Sequence, residues 1–360
     1  MKILVFAKGS ENPYQELLYT PMRIRGVDVN YLTPLTPSAT VNLPTWIPQL
    51  IYYRLRGYGV FHIHWATALS LTAFPWCTWV GKRLVYWHYL LFLKTVKLLG
   101  YKLVWTAHNV LPHEPVFFDD VVARQYLVSL ADLVIAHSAT TFDKLKQLAI
   151  VPKRTAVIPI GSYNGIYPDN ISRERSREKL GLKDGEFTYL FLGLIRKYKG
   201  VDILLHTFNR LKQKNCKLII AGSCPEQGLR DTLRDQASSP NVLWHEGHIP
   251  DDELQIYFAA ADVVVLPFRV ISTSSSALLA FAFDKTVVIP AIGDLADLPD
   301  TIAYKYNPNE AGALEKKMIE AGDDPILLHQ KSHAAKAYAE SFSWQNIAEQ
   351  THVAMQKLFD

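Results

Sequence analysis

The sequence has few cysteines and lacks several common signatures. Its three cysteines in 360 residues, Cys77, Cys216 and Cys224, show neither metal-ligand spacing nor the pairs of a disulfide framework, which is typical of a reducing compartment. The segment after the first apolar run has no G-x-G-x-x-G pattern, so a dinucleotide fingerprint is absent. The sequence also contains no internal repeat and no low-complexity segment.

No apolar run is long enough for a secretory leader or a membrane span. The run at residues 3–7 is too short for a leader and is expected to form the first strand. The stretch Trp65–Leu93 is interrupted by Pro75, Lys82 and Arg83, whereas a spanning helix needs about 20 apolar residues. Its aromatic and basic side chains favour a helix in the membrane interface, with an ordinary packed helix as the alternative. We expect a cytoplasmic protein associated peripherally with the inner leaflet of the cytoplasmic membrane.

The composition is that of a folded chain with an uneven charge. The chain is long enough for two domains, and 49% of its residues are apolar against 20% charged. Residues 1–165 hold 16 Lys and Arg against 8 Asp and Glu, a net +8, so the remainder carries −4 of the overall +4. A basic first half favours anionic lipid or an anionic acceptor as partner, unless its net charge has no role. No nucleic-acid partner is expected.

Short apolar runs alternate with helix-like segments along the whole chain. This alternation predicts the α/β class, with parallel sheets covered by helices on both faces. The predicted strands are residues 2–6, 27–32, 60–64, 103–108, 133–136, 155–158, 188–192, 217–221, 242–246, 263–266 and 286–289. Turn-forming residues 161–170 indicate a linker between the two halves.

The segment Gly193–Gly200 joins a predicted strand to a predicted helix. It carries Arg196, Lys197 and Lys199 between its two glycines. Positive charge between a strand end and a helix N-terminus suits an anionic group, so we expect an anion site here. A solvated basic turn is the alternative.

Other polar segments also follow predicted strands, at the edge where doubly wound sheets bind ligands. Ser272–Ser276 opens a helix and offers hydroxyl and backbone N–H groups to phosphate oxygens, whereas a helix cap needs only one such residue. Gly222 with Ser223, and His248 with Ile249, follow two further strands and are expected to line the same cleft.

Histidines follow two strands of the first half. His62 and His64 point to one side of a strand, but no carboxylate pattern completes a site, so no metal is expected. His108 and Glu114 lie at a predicted ligand edge and are candidates for a general base or for contacts to sugar hydroxyls. A hydrogen-bonded core histidine is the alternative for His108. The other candidate bases are Asp119, Asp120 and Glu11.

The turn Gly193–Gly200 resembles the G-x-I-R-x-Y-K-G turn of GT-B glycosyltransferases, especially those of family 4. Three further segments are similar to family segments in the same order, at residues 157–161, 245–253 and 260–267. The last helix, with Trp344, is similar to one that crosses back to the N-terminal domain. The resemblance implies two Rossmann-like, doubly wound parallel-sheet domains facing a cleft. The acceptor domain would comprise residues 1–165 and 343–360, and the nucleotide-sugar donor domain residues 166–342.

The same resemblance implies roles for residues of the second half. Arg196 and Lys199 would bind the donor diphosphate and stabilise the leaving group, and Ser274, Ser275 and Ser276 would hold phosphate at the helix start. The donor nucleotide would be bound near Gly193, Gly222, Ser223, His248 and Ile249. No cofactor is implied beyond a nucleotide-diphospho-sugar as co-substrate.

One departure from the family concerns two glutamates that retaining members carry eight positions apart. Aligning residues 284–288 with the usual G-K-P-V-I places these positions at Ile271 and Leu279, so both carboxylates are missing. In the family the first contacts the sugar and the second holds the ribose. Ribose must therefore be bound differently here or donor binding is impaired, and the case for a retaining mechanism is weaker.

Three segments of the first half, residues 12–14, 62–65 and 108–114, are similar to bacterial exopolysaccharide mannosyltransferases of the xanthan-assembly type. Those enzymes use GDP-mannose and a polyprenyl-diphosphate-linked acceptor, and they invert the anomeric centre. By this resemblance His108 would contact the transferred sugar. The acceptor would be bound by Glu11, Asn12, Tyr14, His64 and Trp65.

The sequence therefore predicts a metal-independent hexosyltransferase. It would move a hexose, with mannose favoured, from a nucleotide-diphospho-sugar to a lipid-linked or polysaccharide-precursor acceptor. Inversion is favoured, with Glu114, His108 or Asp119 as catalytic residues. A retaining enzyme that uses another donor, such as a UDP-sugar, is one alternative. A non-catalytic protein that binds a nucleotide sugar or scaffolds a partner is an alternative of another class.

Overall fold

The structure, a computed structural model, describes residues 1–6, 13–36, 39–65, 78–112, 115–211, 215–271 and 275–360. It divides into two compact units, Met1–Gly161 with Ser343–Asp360, and Ser162–Phe342. The first division lies four residues before the boundary predicted after residue 165, and the second lies at the predicted position.

The first unit is built on a parallel sheet of six strands in the order β2-β1-β3-β4-β5-β6. These strands are β1 (Lys2–Phe6), β2 (Asp28–Leu32), β3 (Val60–Ile63), β4 (Lys102–Ala107), β5 (Leu133–Ala136) and β6 (Thr155–Val157). Its helices are α1 (Tyr14–Ile24), α2 (Ala39–Leu55), α3 (Thr78–Leu98), α4 (Asp120–Leu130), α5 (Thr140–Gln147) and the last helix of the chain, α13 (Trp344–Gln356). The inner strands β1, β3, β4 and β5 are short and mostly buried, as expected when helices cover both faces of a parallel sheet, whereas the edge strands β2 and β6 are more exposed.

The second unit is built on a second parallel sheet, in the order β12-β11-β10-β7-β8-β9. Its strands are β7 (Phe187–Leu192), β8 (Cys216–Gly222), β9 (Val242–Glu246), β10 (Val263–Val265), β11 (Val287–Pro290) and β12 (Ala303–Tyr306). Its helices are α6 (Arg173–Lys179), α7 (Val201–Arg210), α8 (Gln227–Gln236), α9 (Leu254–Ala260), α10 (Ser275–Ala282), α11 (Ala313–Asp323) and α12 (Pro325–Glu340). The prediction of two doubly wound α/β units is confirmed.

The strand order reverses direction once in each sheet. In the first sheet the chain leaves β1 for β2 on one side and then continues with β3 on the other. In the second it leaves β7 for β8 and β9 and then returns with β10 on the opposite side of β7. Ligands of open α/β sheets bind at such reversals, outside the carboxyl ends of the strands. The basic turn after β7 and the histidines after β3 therefore lie at the two expected places.

The last helix packs in the first unit, as the family resemblance implies. Helix α13 lies against α1, and the ring of Trp344 contacts Tyr14 with 5.3 Å between centroids. The indole also covers Gly161, where an added Cβ would lie 2.4 Å from it. A side chain at residue 161 would therefore displace Trp344 from this position.

All eleven predicted strands are present within one or two residues of their predicted ends, but β12 was missed. Among the described strands it pairs with β11 alone, at the edge of the sheet, and it carries Lys305 near its centre. The Lys305 ammonium donates to the carbonyls of Ala296 and Leu298 at 3.0 and 2.7 Å, and pairs with Asp300 at 2.9 Å. Because the preceding loop satisfies this charge, a strand forms where the apolar pattern is broken.

Helix α3 includes part of the stretch predicted to contact a membrane. One face of it packs in the first core through Val85, Tyr89, Phe92 and Val96. Among the described residues, no helix combines the length and apolar character needed to cross a membrane. Residues 66–77 of that stretch lie outside the described part of the chain.

Candidate active site

The predicted anion site of the second unit begins where β7 and β8 end side by side. Gly193 and Gly222 have φ of +135° and +144°, a region that favours glycine. A Cβ on Gly222 would lie 2.1 Å from the carbonyl oxygen of Gly193, so the two backbones touch. The Ile195 amide then donates to the Ser223 carbonyl at 2.7 Å. The sequence-predicted residues Gly193, Gly222 and Ser223 therefore form one surface at the edge of the sheet.

The basic turn that follows is held in place by residues after β10, the neighbouring strand on the other side of β7. Gly200 has φ of +70°, and a Cβ there would lie 2.1 Å from the Pro267 carbonyl oxygen. Arg269 binds both carboxylate oxygens of Asp202, at 2.7 and 2.6 Å, and donates to the Lys197 carbonyl at 2.8 Å. A two-bond Arg–carboxylate pair fixes orientation as well as distance. The turn therefore has a defined shape instead of being a loose solvated loop.

We expect Gly200→Ala to disrupt this turn. A left-handed conformation costs a residue with a Cβ about 1–2 kcal/mol, and the contact with Pro267 adds to that cost. Gly181→Ala is the matched control, because Gly181 has a similar φ of +67° and no atom within 4 Å of an added Cβ. Urea unfolding should give a clearly larger loss of unfolding free energy for Gly200→Ala. Equal losses would mean that the approach of Pro267 does not constrain the turn.

The three cations of the turn have different surroundings. Lys197 is exposed, whereas Arg196 and Lys199 are half-buried. Burial lowers the pKa of the Lys199 ammonium to about 8. Its nitrogen lies 5.9 Å from the centroid of the Phe268 ring and 3.3 Å from where a Cβ on Gly193 would be. Lys199 is therefore directed back towards the strand end, into the region where the anion was predicted.

Helix α10 begins at the same edge of the sheet, after β10, the neighbour of β7. Ser275 is its first residue, and the Tyr163 side chain forms a hydrogen bond with Ser275. Ser276 is half-buried in the first turn, and Ser274 lies outside the described residues. The N-terminus of a helix favours negative charge, so the described part of this segment suits the predicted phosphate contact.

The two positions where family 4 carries glutamates are apolar and partly or fully covered. Ile271 is buried, and its carbonyl oxygen lies 2.6 Å from where a Cβ on Gly293 would be. Leu279 is half-buried on α10 and packs against the core of the second unit. Asp284, aligned with the family's glycine, takes a left-handed φ of +57°, which supports the alignment. Neither position supplies a carboxylate to a donor.

The predicted nucleotide loop follows β9. Gly247 has φ of +130°, and its amide donates weakly, at 3.4 Å, to the Gly222 carbonyl. His248 is exposed and Ile249 is half-buried, with Ile249 packed on the core. These residues follow the strand next to β8, so they extend the edge that begins at Gly193.

In the first unit, histidines from the ends of three neighbouring strands meet in one hydrogen-bonded chain. His64 follows β3, His108 follows β4 and His137 follows β5. His64 Nδ1 lies 3.3 Å from His108 Nε2, and His108 Nδ1 lies 3.2 Å from His137 Nε2. His137 Nδ1 lies 3.0 Å from the Ile158 carbonyl oxygen.

The chain continues inward through Tyr19. Its hydroxyl lies 2.8 Å from His64 Nε2 and 2.6 Å from His62 Nδ1, and His62 Nε2 lies 2.8 Å from the Thr106 hydroxyl. Burial lowers the pKa of His62 to about 3, and burial with neighbouring histidines holds the pKa values of His64 and His108 well below the usual range. The described residues contain no group of three or more side chains placed to hold a metal ion.

Of the predicted acceptor and catalytic residues, His64 and His108 belong to this chain, and Tyr14 and Trp65 lie against it. Tyr14 contacts the rings of His64 and His108 at 5.4 and 4.7 Å, and Trp65 stacks on His108 at 4.9 Å. Glu11, Asn12 and Glu114 lie outside the described residues. Neither Tyr19 nor His137 was predicted as a site residue. His137 follows a predicted strand directly, so its position at the sheet edge was a usable signal.

The two aspartates proposed as bases serve as local hydrogen-bond acceptors. Asp119 caps helix α4, accepting from the amides of Val121 and Val122 at 2.9 Å each. Asp120 accepts from the amides of Val116 and Phe117 at 3.1 and 3.0 Å. A helix cap contributes about 1 kcal/mol to stability. These contacts give both aspartates a structural role that their positions in the sequence did not reveal.

Comparison with known proteins adds to this geometry. Residues 172–341, nearly the whole second unit, match the profile described as glycosyl transferases group 1. This segment is similar to glycosyl transferases group 1. The similarity agrees with the predicted enzyme class, glycosyltransferase.

Individual relatives agree with the similarity to glycosyl transferases group 1. An uncharacterized glycosyltransferase of Methanocaldococcus jannaschii is 30% identical over 52% of this chain and 51% of its own length. A GDP-mannose:glycolipid 4-beta-D-mannosyltransferase of Xanthomonas campestris pv. campestris is 25% identical over 69% of this chain and 66% of its own. The chain thus spans less than two thirds of the length of either relative.

Solved structures confirm the GT-B fold. HepE of Anabaena in complex with UDP-glucose superposes with a TM-score of 0.78, at 17% identity over 99% of this chain and 100% of that one. At this identity the similarity concerns the fold alone.

Proposed function

We propose that the protein transfers a hexose, with mannose favoured, from a nucleotide-diphospho-sugar to a lipid-linked or polysaccharide-precursor acceptor, without an essential metal. The observation that carries this proposal is the basic turn after β7, at the reversal of strand order, where Arg196 and Lys199 follow the strand next to the one that precedes α10. The similarity to the Xanthomonas GDP-mannose:glycolipid 4-beta-D-mannosyltransferase supports mannose and a glycolipid acceptor.

The mechanism that we propose places donor chemistry in the second unit. Negative charge develops on the diphosphate as the bond to the sugar breaks, and Arg196, Lys199 and the N-terminus of α10 offset it. Fixed donors aimed at developing charge do this without reorganisation, because the turn is already held by Arg269 and Gly200. Cations that bind the transition state more strongly than the substrate accelerate the step.

Acceptor chemistry belongs to the first unit in this proposal. Inversion requires a general base that takes the proton of the acceptor hydroxyl, which contributes about 10²–10⁴-fold. We assign this role to Glu114, since Asp119 and Asp120 serve local backbone contacts. His108 contacts the transferred sugar, and Tyr14, His64 and Trp65 lie around the acceptor. The apolar residues Ile271 and Leu279 favour inversion over retention, because the carboxylates of retaining members are absent there.

Two experiments test the donor and the stereochemistry. A panel of nucleotides and nucleotide sugars should raise the melting temperature selectively, since a ligand at 100 times its Kd stabilises by about 2.7 kcal/mol. GDP and GDP-mannose are expected to give the largest shift. A larger shift with UDP-glucose would favour the alternative donor, and NMR of the product's anomeric centre distinguishes inversion from retention.

A non-catalytic nucleotide-sugar-binding or scaffold protein is the second candidate. It is favoured by the missing glutamates at residues 271 and 279, because loss of carboxylates on the ligand side is what decay of an active site would produce. An assay of nucleotide release with membrane extract as the acceptor source separates the two. Tight binding of a nucleotide sugar with no release above the rate without protein would favour this second candidate.

We also propose that the first unit docks on the inner leaflet of the cytoplasmic membrane through helix α3. Opposite its buried face, α3 exposes four apolar side chains at helical spacing, here called the α3 stripe: Leu84, Trp87, Leu91 and Leu98, with exposed fractions of 58, 66, 55 and 77%. A helix that is apolar on both faces is normally covered on both. The exposed Arg83 and Lys94 lie beside the stripe and suit anionic lipid headgroups.

The double substitution Trp87→Glu with Leu91→Glu should weaken membrane binding. Burial of one large apolar side chain is worth about 1.5–3 kcal/mol, so binding to vesicles that contain anionic phosphatidylglycerol should fall by more than tenfold. Ile326→Glu is the control, because Ile326 is 71% exposed on α12 of the second unit. Sedimentation with vesicles measures the effect. Unchanged binding of the double variant would exclude α3 as the docking surface.

A further inference from the structure

The hydrogen-bonded chain of the first unit has a fixed direction at one end. The Ile158 carbonyl oxygen can only accept, so His137 must carry a proton on Nδ1 to bond with it at 3.0 Å. A neutral His137 then offers Nε2 as an acceptor. His108 consequently donates from Nδ1 to His137, which leaves His108 Nε2 as an acceptor for the Nδ1–H of His64.

The same direction propagates to the other end of the chain. His64 Nε2 accepts from the Tyr19 hydroxyl, whose oxygen accepts from His62 Nδ1–H, and His62 Nε2 accepts from the Thr106 hydroxyl. Every neutral imidazole thus has one donor and one acceptor satisfied. The reverse order would place an unprotonated His137 Nδ1 against the Ile158 carbonyl, leaving two buried acceptors face to face, which is costly.

Burial disfavours the charged form of an imidazole. His62, His64 and His137 are buried, as are Tyr19 and Thr106. The low pKa values of His62, His64 and His108 come from burial and, for His64 and His108, from the other histidines. With neutral rings the direction set at Ile158 is the one that satisfies all the buried groups.

We propose that His137, held by the Ile158 carbonyl, is a positioning residue that fixes His108 in the Nδ1–H tautomer, with Nε2 as the acceptor for a substrate hydroxyl. His108 is the one ring of the chain that is only half-buried. Its two bonds, 3.2 and 3.3 Å, are the longest of the chain, so a hydroxyl competes there most easily. Such a hydroxyl must donate to His108 Nε2, which sets its orientation. The contact with substrate rests on the proposed function; the tautomer does not.

Nitrogen-15 NMR of the histidine-labelled full chain tests the tautomer without any substrate. At neutral pH we expect His108 to carry its proton on Nδ1, whereas free histidine favours Nε2. His137→Leu removes the acceptor of His108 Nδ1–H and should convert His108 to the Nε2–H form or to a mixture. Tyr19→Phe interrupts the chain on the other side of His64, so His108 should keep its Nδ1 proton. An Nε2–H tautomer in the unmodified protein, or the same response to both variants, would overturn the proposal.

Kinetics then test the role. His137→Leu should lower kcat by about tenfold, the loss of roughly one well-placed hydrogen bond, with a smaller change in KM. His137→Gln keeps an amide donor for Ile158 and an oxygen acceptor for His108, and should restore most of the loss. A kcat unchanged in His137→Leu would contradict the positioning role. If the protein shows the expected tautomers but transfers no sugar, the result contradicts the proposed function and still supports the order of hydrogen bonds in the chain.

Discussion

Replacing Arg196 by alanine should lower kcat/KM for sugar transfer by about 10²–10³-fold, the cost of removing one fixed donor to charge that develops in a transition state. Arg196 stands at the start of the basic turn, directly before the short helical turn Lys197–Lys199. A guanidinium there meets the diphosphate most strongly when the leaving group carries its full charge. The loss should therefore fall mainly on kcat, and the Kd of the donor should rise less.

Lys197→Ala is the matched control for this variant. Lys197 lies in the same turn with the same charge, but its side chain is exposed, and Arg269 contacts its backbone carbonyl. Its removal changes the net charge equally and should change kcat/KM by less than about tenfold, as expected for a screened surface charge. Nucleotide release from the donor that the melting-temperature panel selects measures both. Wild-type kinetics in Arg196→Ala would remove the diphosphate site from this turn.

The sequence reveals most where backbone geometry demands a particular residue. Gly193 and Gly200 bracket the basic turn because the strand end and the helix start both need positive φ, and the backbones of Gly222 and Pro267 pass within contact distance. A side chain at either position would be strained or would clash, so both positions require glycine. The two glycines are therefore visible in the sequence and predict the turn. The alternation of apolar runs predicts the strands for the same kind of reason, since both faces of each sheet are covered.

Features that depend on distant partners could not be predicted in this way. The strand β12 contains Lys305, whose charge is satisfied by carbonyls of the preceding loop. In the sequence Asp119 is a candidate base, whereas in the structure it accepts hydrogen bonds from two amides of helix α4. The histidine chain joins residues 19, 62, 64, 106, 108, 137 and 158, and only the order of strands β3, β4 and β5 brings them together. The sequence indicated His62 with His64 and, separately, His108, but not their connection through Tyr19 and His137.

Replacing Lys199 by methionine should have the second large effect, and pH should reveal it. Methionine keeps an unbranched side chain of similar length beside Phe268 but removes the ammonium that faces its ring, so kcat/KM should fall by about 10²-fold at pH 7. Burial lowers the pKa of Lys199 from its usual 10.5 to about 8. In the unmodified protein, donor affinity should therefore weaken as the pH rises through about 8. Arg196→Ala should retain this pH dependence, and Lys199→Met should lose it.

The stability of the protein without ligand should follow pH in the opposite direction. Because the folded-state pKa of Lys199 lies below the unfolded-state value, the unfolded chain binds more protons between pH 8 and 10.5, and the contribution of Lys199 to stability rises with pH. Below pH 8 the fold carries the cost of a buried charge, which an anionic ligand offsets. Melting curves of the unmodified protein and Lys199→Met, with and without nucleotide sugar, measure both trends. Parallel curves for the two proteins from pH 7 to 10 would mean that Lys199 does not face the donor as a buried cation.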